Sequence, residues 1–145
     1  MKRFEVVIYT DGSCKGNPGP GGYAAVIKCN GHEKVITGSE TVTTNNRMEL
    51  RALIEATRAL KKPCDITVMT DSQYVCTGLA NAKEWCNRNW RTRSGAKCAN
   101  FDMWQELTDL KSKGGHKFHF QHIKGHAGDP ENERCDGLAR AAITY

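Results

Sequence analysis

Phe4-Glu5-Val6-Val7-Ile8-Tyr9-Thr10-Asp11-Gly12 is a run of β-branched and aromatic residues that ends on a turn-forming Asp-Gly pair. It has no helical spacing, so it predicts a buried strand over 4–10. Residues 12–22 are dense in Gly and Pro and read as a loop. Residues 23–29 supply a second strand, Asn30-Gly31 a type I′ hairpin turn, and 33–41 a third strand. Three strands joined in this order form an antiparallel meander. Beyond it the period becomes helical. Leu50, Leu53, Ile54 and Leu60 make one stripe of a helix over 46–60, and Glu49, Ala52, Ala56 and Ala59 make a small-residue stripe that permits close approach to a sheet. Pro63 closes that helix, Ile66 to Thr70 is a short buried strand, and Asp71-Ser72 caps a helix over 73–80. A strand followed by a helical crossover implies parallel pairing. Phe101 to Leu110 reads as an amphipathic helix and Lys117 to Ile123 as a fifth strand. The last helix has Asp129 as N-cap and Pro130 in its first turn, and buries Cys135, Leu138, Ala139 and Ala142. The predicted class is α/β: a five-stranded mixed sheet, three antiparallel strands then parallel additions, with helices packed on it.

The chain of 145 residues is 39% hydrophobic and 26% charged, which fits a single domain over 1–145 with no linker, repeat or low-complexity segment. At this length about 68% of the extended-chain surface is expected to be buried, enough for a core without disulfide or metal staples. No apolar run reaches the roughly 18 residues of a membrane span, and the N-terminus passes straight into a strand instead of an apolar signal core. Neither a membrane association nor export is expected. The 7 Cys are odd in number and form no C-x-x-C pair, so they fit free thiols in a reducing cytoplasm. An excess of 21 Lys+Arg over 16 Asp+Glu leaves +5, which favours polyanionic partners without specifying one.

Four acids occupy positions that packing alone would not choose. Asp11 ends the first strand, Glu49 lies on the small-residue stripe, Asp71 ends the fourth strand, and Asp136 follows the buried Cys135. Each has an ordinary explanation: a turn for Asp11, a solvated helix position for Glu49, an N-cap for Asp71, an i,i+4 partner of Arg140 for Asp136. Together they read differently. If strands one and four are parallel neighbours, Asp11 and Asp71 reach the same carboxyl edge of the sheet, where α/β folds place their sites. Clustered carboxylates repel and take up protons unless a cation neutralises them. All-oxygen ligation suits Mg²⁺, with Mn²⁺ as the alternative, and two such ions about 4 Å apart serve in-line displacement at a phosphodiester. A zinc cluster of His119, His122 and Cys135 fails, because residues three apart on a strand point to opposite faces.

Longer motifs carry the reading further. They are Thr10-Asp11-Gly12-Ser13-Cys14-Lys15-Gly16-Asn17-Pro18-Gly19-Pro20-Gly21-Gly22, Thr43-Thr44-Asn45-Asn46-Arg47-Met48-Glu49-Leu50, Thr70-Asp71-Ser72-Gln73-Tyr74-Val75, and Lys124-Gly125-His126-Ala127-Gly128 through Asn132-Glu133-Arg134-Cys135-Asp136. These closely resemble the type 1 ribonuclease H family of the bacterial kind, from Phe4 to about Ala142. The resemblance implies the ribonuclease H fold and endonucleolytic hydrolysis of the RNA strand of an RNA/DNA hybrid, leaving 5′-phosphate and 3′-hydroxyl ends, with two Mg²⁺ ions engaged alongside the substrate. It implies that Asp11 bridges both ions, that Asp136 completes the site activating water, and that Glu49 and Asp71 hold the ion near the departing 3′ oxygen. His126 would shuttle a proton or ease product departure.

The same resemblance assigns Cys14 and Asn17, in the loop with Gly16, to the hybrid minor groove beside Asn45, Asn46 and Gln73. It assigns Thr44 and Asn100 to a phosphate of the DNA strand, a pocket weakened here because Val42 stands where relatives often carry Arg. Lys83, Arg88, Arg91, Arg93 and Lys97 face a single Glu84, with Trp85 and Trp90 interleaved. This strip matches the family's basic protrusion, in which Trp85, Arg88, Trp90 and Arg91 would grip the duplex. Cys86 and Asn87 replace lysines usual in bacterial relatives, so a weaker but still salt-sensitive hybrid affinity is expected. Trp104 reads as core. The expected protein is a monomer with no obligatory protein partner. The alternative function is a catalytically silent hybrid-binding module, which the presence of all four acids and His126 disfavours. A strand-transfer enzyme would need flanking domains, and a redox switch would need vicinal cysteines.

Overall fold

The computed structural model describes residues 3–123 and 129–145. It begins with the expected meander: β1 (Phe4–Cys14), β2 (Gly19–Cys29) and β3 (His32–Thr43), antiparallel in sequence. Asn30 and Gly31 both have positive φ, 50° and 78°, the backbone that a type I′ turn demands. After α1 (Asn45–Arg58), β4 (Cys64–Thr70) pairs parallel with β1. Next come α2 (Gln73–Asn87) and α3 (Phe101–Gly114), then β5 (Lys117–His122), parallel to β4, and finally α4 (Pro130–Ala142). The sheet order is β3-β2-β1-β4-β5.

Period-two alternation divides the sheet into two packed faces. Val6, Ile8, Ala25, Ile27, Ile66 and Val68 point to one side and close a core with Leu50, Leu53 and Ile54 of α1 and with Met103, Trp104 and Leu107 of α3. Ala24 and Val26 are buried on the other side, where Cys135 and Ala139 of α4 are also fully buried. Leu138 and Ala142, expected in that stripe, are only half-buried. Among the described residues no helix is long and apolar enough to cross a membrane.

Local corrections have clear causes. The stretch 12–22 is mostly strand: β1 and β2 stay paired as far as Cys14↔Gly21, because antiparallel backbone pairing tolerates glycine. The residual turn is closed by Lys15 N donating to the Pro20 carbonyl at 2.8 Å. α1 stops at Arg58, so Leu60 packs from the following turn. α2 continues seven residues past the expected end at 80, since Ala82, Trp85 and Cys86 keep one face on the core while Lys83 and Asn87 face solvent. Ser72, rather than Asp71, caps it, its hydroxyl accepting from Val75 N.

Candidate active site

The crevice arises from where strands stop pairing. β1 and β4 are hydrogen-bonded only to Tyr9↔Met69, whereas β1 runs on beside β2 to Cys14. β4 therefore parts from β1 just before Asp11, and the chain beyond β4 turns at Asp71. Ile123 N donates to the Thr70 carbonyl, Thr70 Oγ1 accepts from Ser72 N, and a His122 ring nitrogen lies 3.0 Å from the Asp71 carbonyl. These contacts fix the turn that presents Asp71.

Glu49 enters from α1, which approaches β1 closely because residue 12 is glycine. A Cβ there would overlap Glu49 N and lie 2.6 Å from the Met48 carbonyl carbon. Carboxylate oxygens of Asp11, Glu49 and Asp71 consequently lie within 4.8 Å of one another. Asp136, on α4, lines the same open depression of about 470 Å³, together with Asn45, Asn46, Ser72, Gln73 and Tyr74. Its carboxylate also accepts from Arg140 at 2.6 Å, so its ordinary helix pairing and its place in the crevice coexist. His126 lies outside the described residues.

Asp11 is 4% exposed and Glu49 5%. Burial, then repulsion from Asp71, pushes the Asp11 carboxyl up to about 7, although Gly12 N donates to it at 2.9 Å. Glu49 is raised well above the ordinary range by burial first and by Asp11 second. Its Oε2 is buried without a hydrogen-bond partner among the described residues. A buried carboxylate oxygen with no donor, beside two further carboxylates, is matched chemically by a hard cation and poorly by anything neutral. Neighbouring Cys135 is no competitor as a ligand, because burial and then Asp11 push its thiol up to about 12. In the unfolded chain an aspartate ionises near 3.9, while Asp11 in the fold holds its proton to about 7. Between these values the native state binds the extra proton, so stability falls as pH rises. In chelator, the melting temperature of wild type should therefore fall behind that of Asp11→Asn by several degrees between pH 4 and 7, and Mg²⁺ should close the gap. A gap independent of pH would contradict this origin.

The family model described as RNase H matches residues 3–144. The chain belongs to the RNase H family. It is 54% identical over 140 residues to the ribonuclease H of Pelobacter propionicus, covering 96% of this chain and 85% of that protein. The crystal structure of LC9-RNase H1, a type 1 RNase H with the type 2 active-site motif, superposes with a TM-score of 0.84 at 33% identity, covering 98% of this chain and 73% of that one. LC11-RNase H1, solved in complex with an RNA/DNA hybrid, shares the fold at a TM-score of 0.69 and 23% identity, covering 95% of this chain and 96% of that one.

Around this RNase H crevice the expected substrate residues fall into two groups. Cys14 Sγ points at the carbonyls of Gly16, Gly19 and Thr43, and Asn17 accepts from Asn45 N at 2.9 Å, so β1, β2 and the start of α1 form one rim with Asn46. Gln73, the first residue of α2, lies opposite and donates to Thr77. Thr44 caps α1 and accepts from Arg47 N. Arg47 in turn donates to Asn100 at 3.1 Å, which draws Thr44 and Asn100 to one corner. Val42 beside them is 74% exposed and contributes no charge.

Sequence reasoning missed Tyr74. Its hydroxyl accepts from Asn100 Nδ2 at 2.9 Å and Trp104 Nε1 at 3.0 Å, tying that corner to the core. Its position directly after Gln73, in the first turn of α2, is the signal that could have found it. Trp104 is fully buried, as expected. Trp90 is a correction: it is 4% exposed, packs in the core and donates to Gln105, so it offers no face to a duplex. Trp85 is half-buried, edge-on to Trp104 at 6.2 Å. Arg88 and Arg91 are exposed.

Proposed function

We propose that this protein is a divalent-metal-dependent endoribonuclease that hydrolyses the RNA strand of RNA/DNA hybrids, leaving 5′-phosphate and 3′-hydroxyl ends. The observation that carries the proposal is the trio of carboxylates from β1, α1 and the β4–α2 turn, gathered within 4.8 Å with one Glu49 oxygen left without a partner among the described residues. In a silent binding module such a cluster would only cost stability.

Asp11, Glu49, Asp71 and Asp136 are proposed to hold two Mg²⁺ ions. When bound, such ions neutralise charge on the scissile phosphate and make a water nucleophilic near neutral pH. The chain's own groups do the rest. Asp11 would be shared between the two sites, and because burial and Asp71 favour its protonated form, metal loading would be coupled to pH. Asp136, on α4, would complete the site that activates water, and Glu49 with Asp71 would hold the ion near the departing 3′ oxygen. His126 is proposed to accept or pass on a proton as product departs.

Hybrid selection is assigned to the rim of Cys14, Gly16, Asn17, Asn45, Asn46 and Gln73. Short polar groups and backbone there suit a shallow groove carrying 2′-hydroxyls. Thr44 and Asn100 are proposed to hold a DNA-strand phosphate, and Trp85, Arg88 and Arg91 to meet the duplex farther out. One domain spans 1–145 in this reading. The protein is proposed to act as a monomer in the cytoplasm, in keeping with its free cysteines.

The test is a cleavage assay on end-labelled RNA/DNA, RNA/RNA and DNA/DNA duplexes, first with Mg²⁺ and then with chelator. Cutting is expected only in the RNA of the hybrid and only with metal. Cutting in excess chelator, or equal cutting of all duplexes, would overturn the proposal.

A further inference from the structure

The basic strip is already engaged with itself. α2 ends at Asn87, and Asn89 and Trp90 follow with φ of 56° and 61°, reversing the chain into a small hairpin bridged at Arg91↔Lys97. Thr92 N donates to the Ala96 carbonyl at 2.8 Å, and Arg91 Nη1 donates to the Gly95 carbonyl at 3.0 Å. Lys97 Nζ sits 4.5 Å from the centroid of the Phe101 ring. The fold-back carries Arg93 over the last turns of α2, where Glu84 Oε1 pairs with Arg93 Nε at 3.2 Å and with Arg88 Nη2 at 3.4 Å. One carboxylate oxygen thus holds two guanidinium groups, as a phosphate oxygen would. The Arg93 side chain is otherwise 81% exposed, so nothing else among the described residues orders it.

The geometry points to Glu84 as an internal stand-in for a nucleic-acid phosphate: it occupies Arg88 and Arg93 until a duplex backbone displaces it, and so sets how tightly and how salt-sensitively the hybrid is held. The inference rests on the strip being a duplex contact, as proposed above. A phosphate reaching either arginine must first break an existing exposed pair, and the displaced carboxylate then faces the duplex with like charge. Both effects weaken binding at low salt and fade as salt screens them.

The experiment measures hybrid dissociation constants in chelator, so that no strand is cut, from low to high salt. Glu84→Gln keeps the side chain's size and removes its charge. It should bind about 3- to 10-fold tighter at low salt, with a log–log salt slope steeper by roughly one unit and no advantage at high salt. Asp109→Asn is the control. It removes one exposed negative charge from α3, where the carboxylate pairs with Gln105 and touches no arginine of the strip. A gain well above that of Asp109→Asn, abolished when Arg88→Ala and Arg93→Ala are added, supports the stand-in role. An equal gain in Asp109→Asn, or a gain that survives without both arginines, overturns it in favour of bulk charge. If removing both arginines from the Glu84→Gln protein costs affinity while Glu84→Gln alone matches wild type, the stand-in role falls and the duplex contact stands. If that removal changes nothing, the contact falls too. Melting temperatures of each variant separate lost folding from lost binding.

Discussion

Asp11→Asn is expected to lower turnover on an RNA/DNA hybrid by about a thousandfold or more while raising the melting temperature of the metal-free protein. The two effects share one cause. Asp11 lies within 4.8 Å of Glu49 and Asp71, and burial with repulsion holds its carboxyl near 7, far above an ordinary aspartate. An amide of the same shape ends that repulsion, so the fold gains. It also cannot carry the negative charge that a shared cation needs, so the chemistry fails. Turnover measured at saturating hybrid and Mg²⁺, beside melting in chelator, tests both halves. A variant that keeps more than a tenth of wild-type turnover would remove Asp11 from the centre of the reaction.

Gly12→Ala is the second large effect, and here both quantities should fall. The added Cβ would overlap Glu49 N and crowd Met48, backbone and side chain alike. Backbone cannot swing aside as a long side chain can. α1 must move off β1, at a cost of about 1–3 kcal/mol for an overpacked contact. The same movement withdraws Glu49 from Asp11, so turnover should drop at least about tenfold even below the melting transition, since sub-ångström placement governs such sites. Mg²⁺ should also stabilise this variant less than wild type. Full turnover with normal metal response would mean that the close approach serves packing alone.

What could be read from the sequence depended on how local the cause was. The meander was legible because Asn30-Gly31 leaves the chain few alternatives and the run from Tyr23 to Ile27 before it is continuously apolar. Asp71 was legible as a strand end, whereas Asp11, expected to end the first strand, lies inside β1 just past its last pairing with β4; their meeting still followed from parallel pairing. The depth of Glu49 was not, because it depends on Gly12 admitting a helix from 37 residues away. The last turns of α2 were missed because Lys83, Glu84 and Asn87 make one face as polar as a loop, although Trp85 and Cys86 pack inward. Trp90 was assigned to the duplex only through the resemblance of its strip to the family's basic protrusion. The left-handed pair Asn89-Trp90 turns it into the core instead, and only Asn89 hints at that turn.

The crevice draws its acids from β1, α1, the β4–α2 turn and α4, at positions 11, 49, 71 and 136. No contiguous fragment of the chain short of nearly its whole length can assemble it. During refolding, strand cutting should accordingly return last, lagging behind the recovery of helical signal, which makes catalysis itself a sensitive gauge of completed assembly.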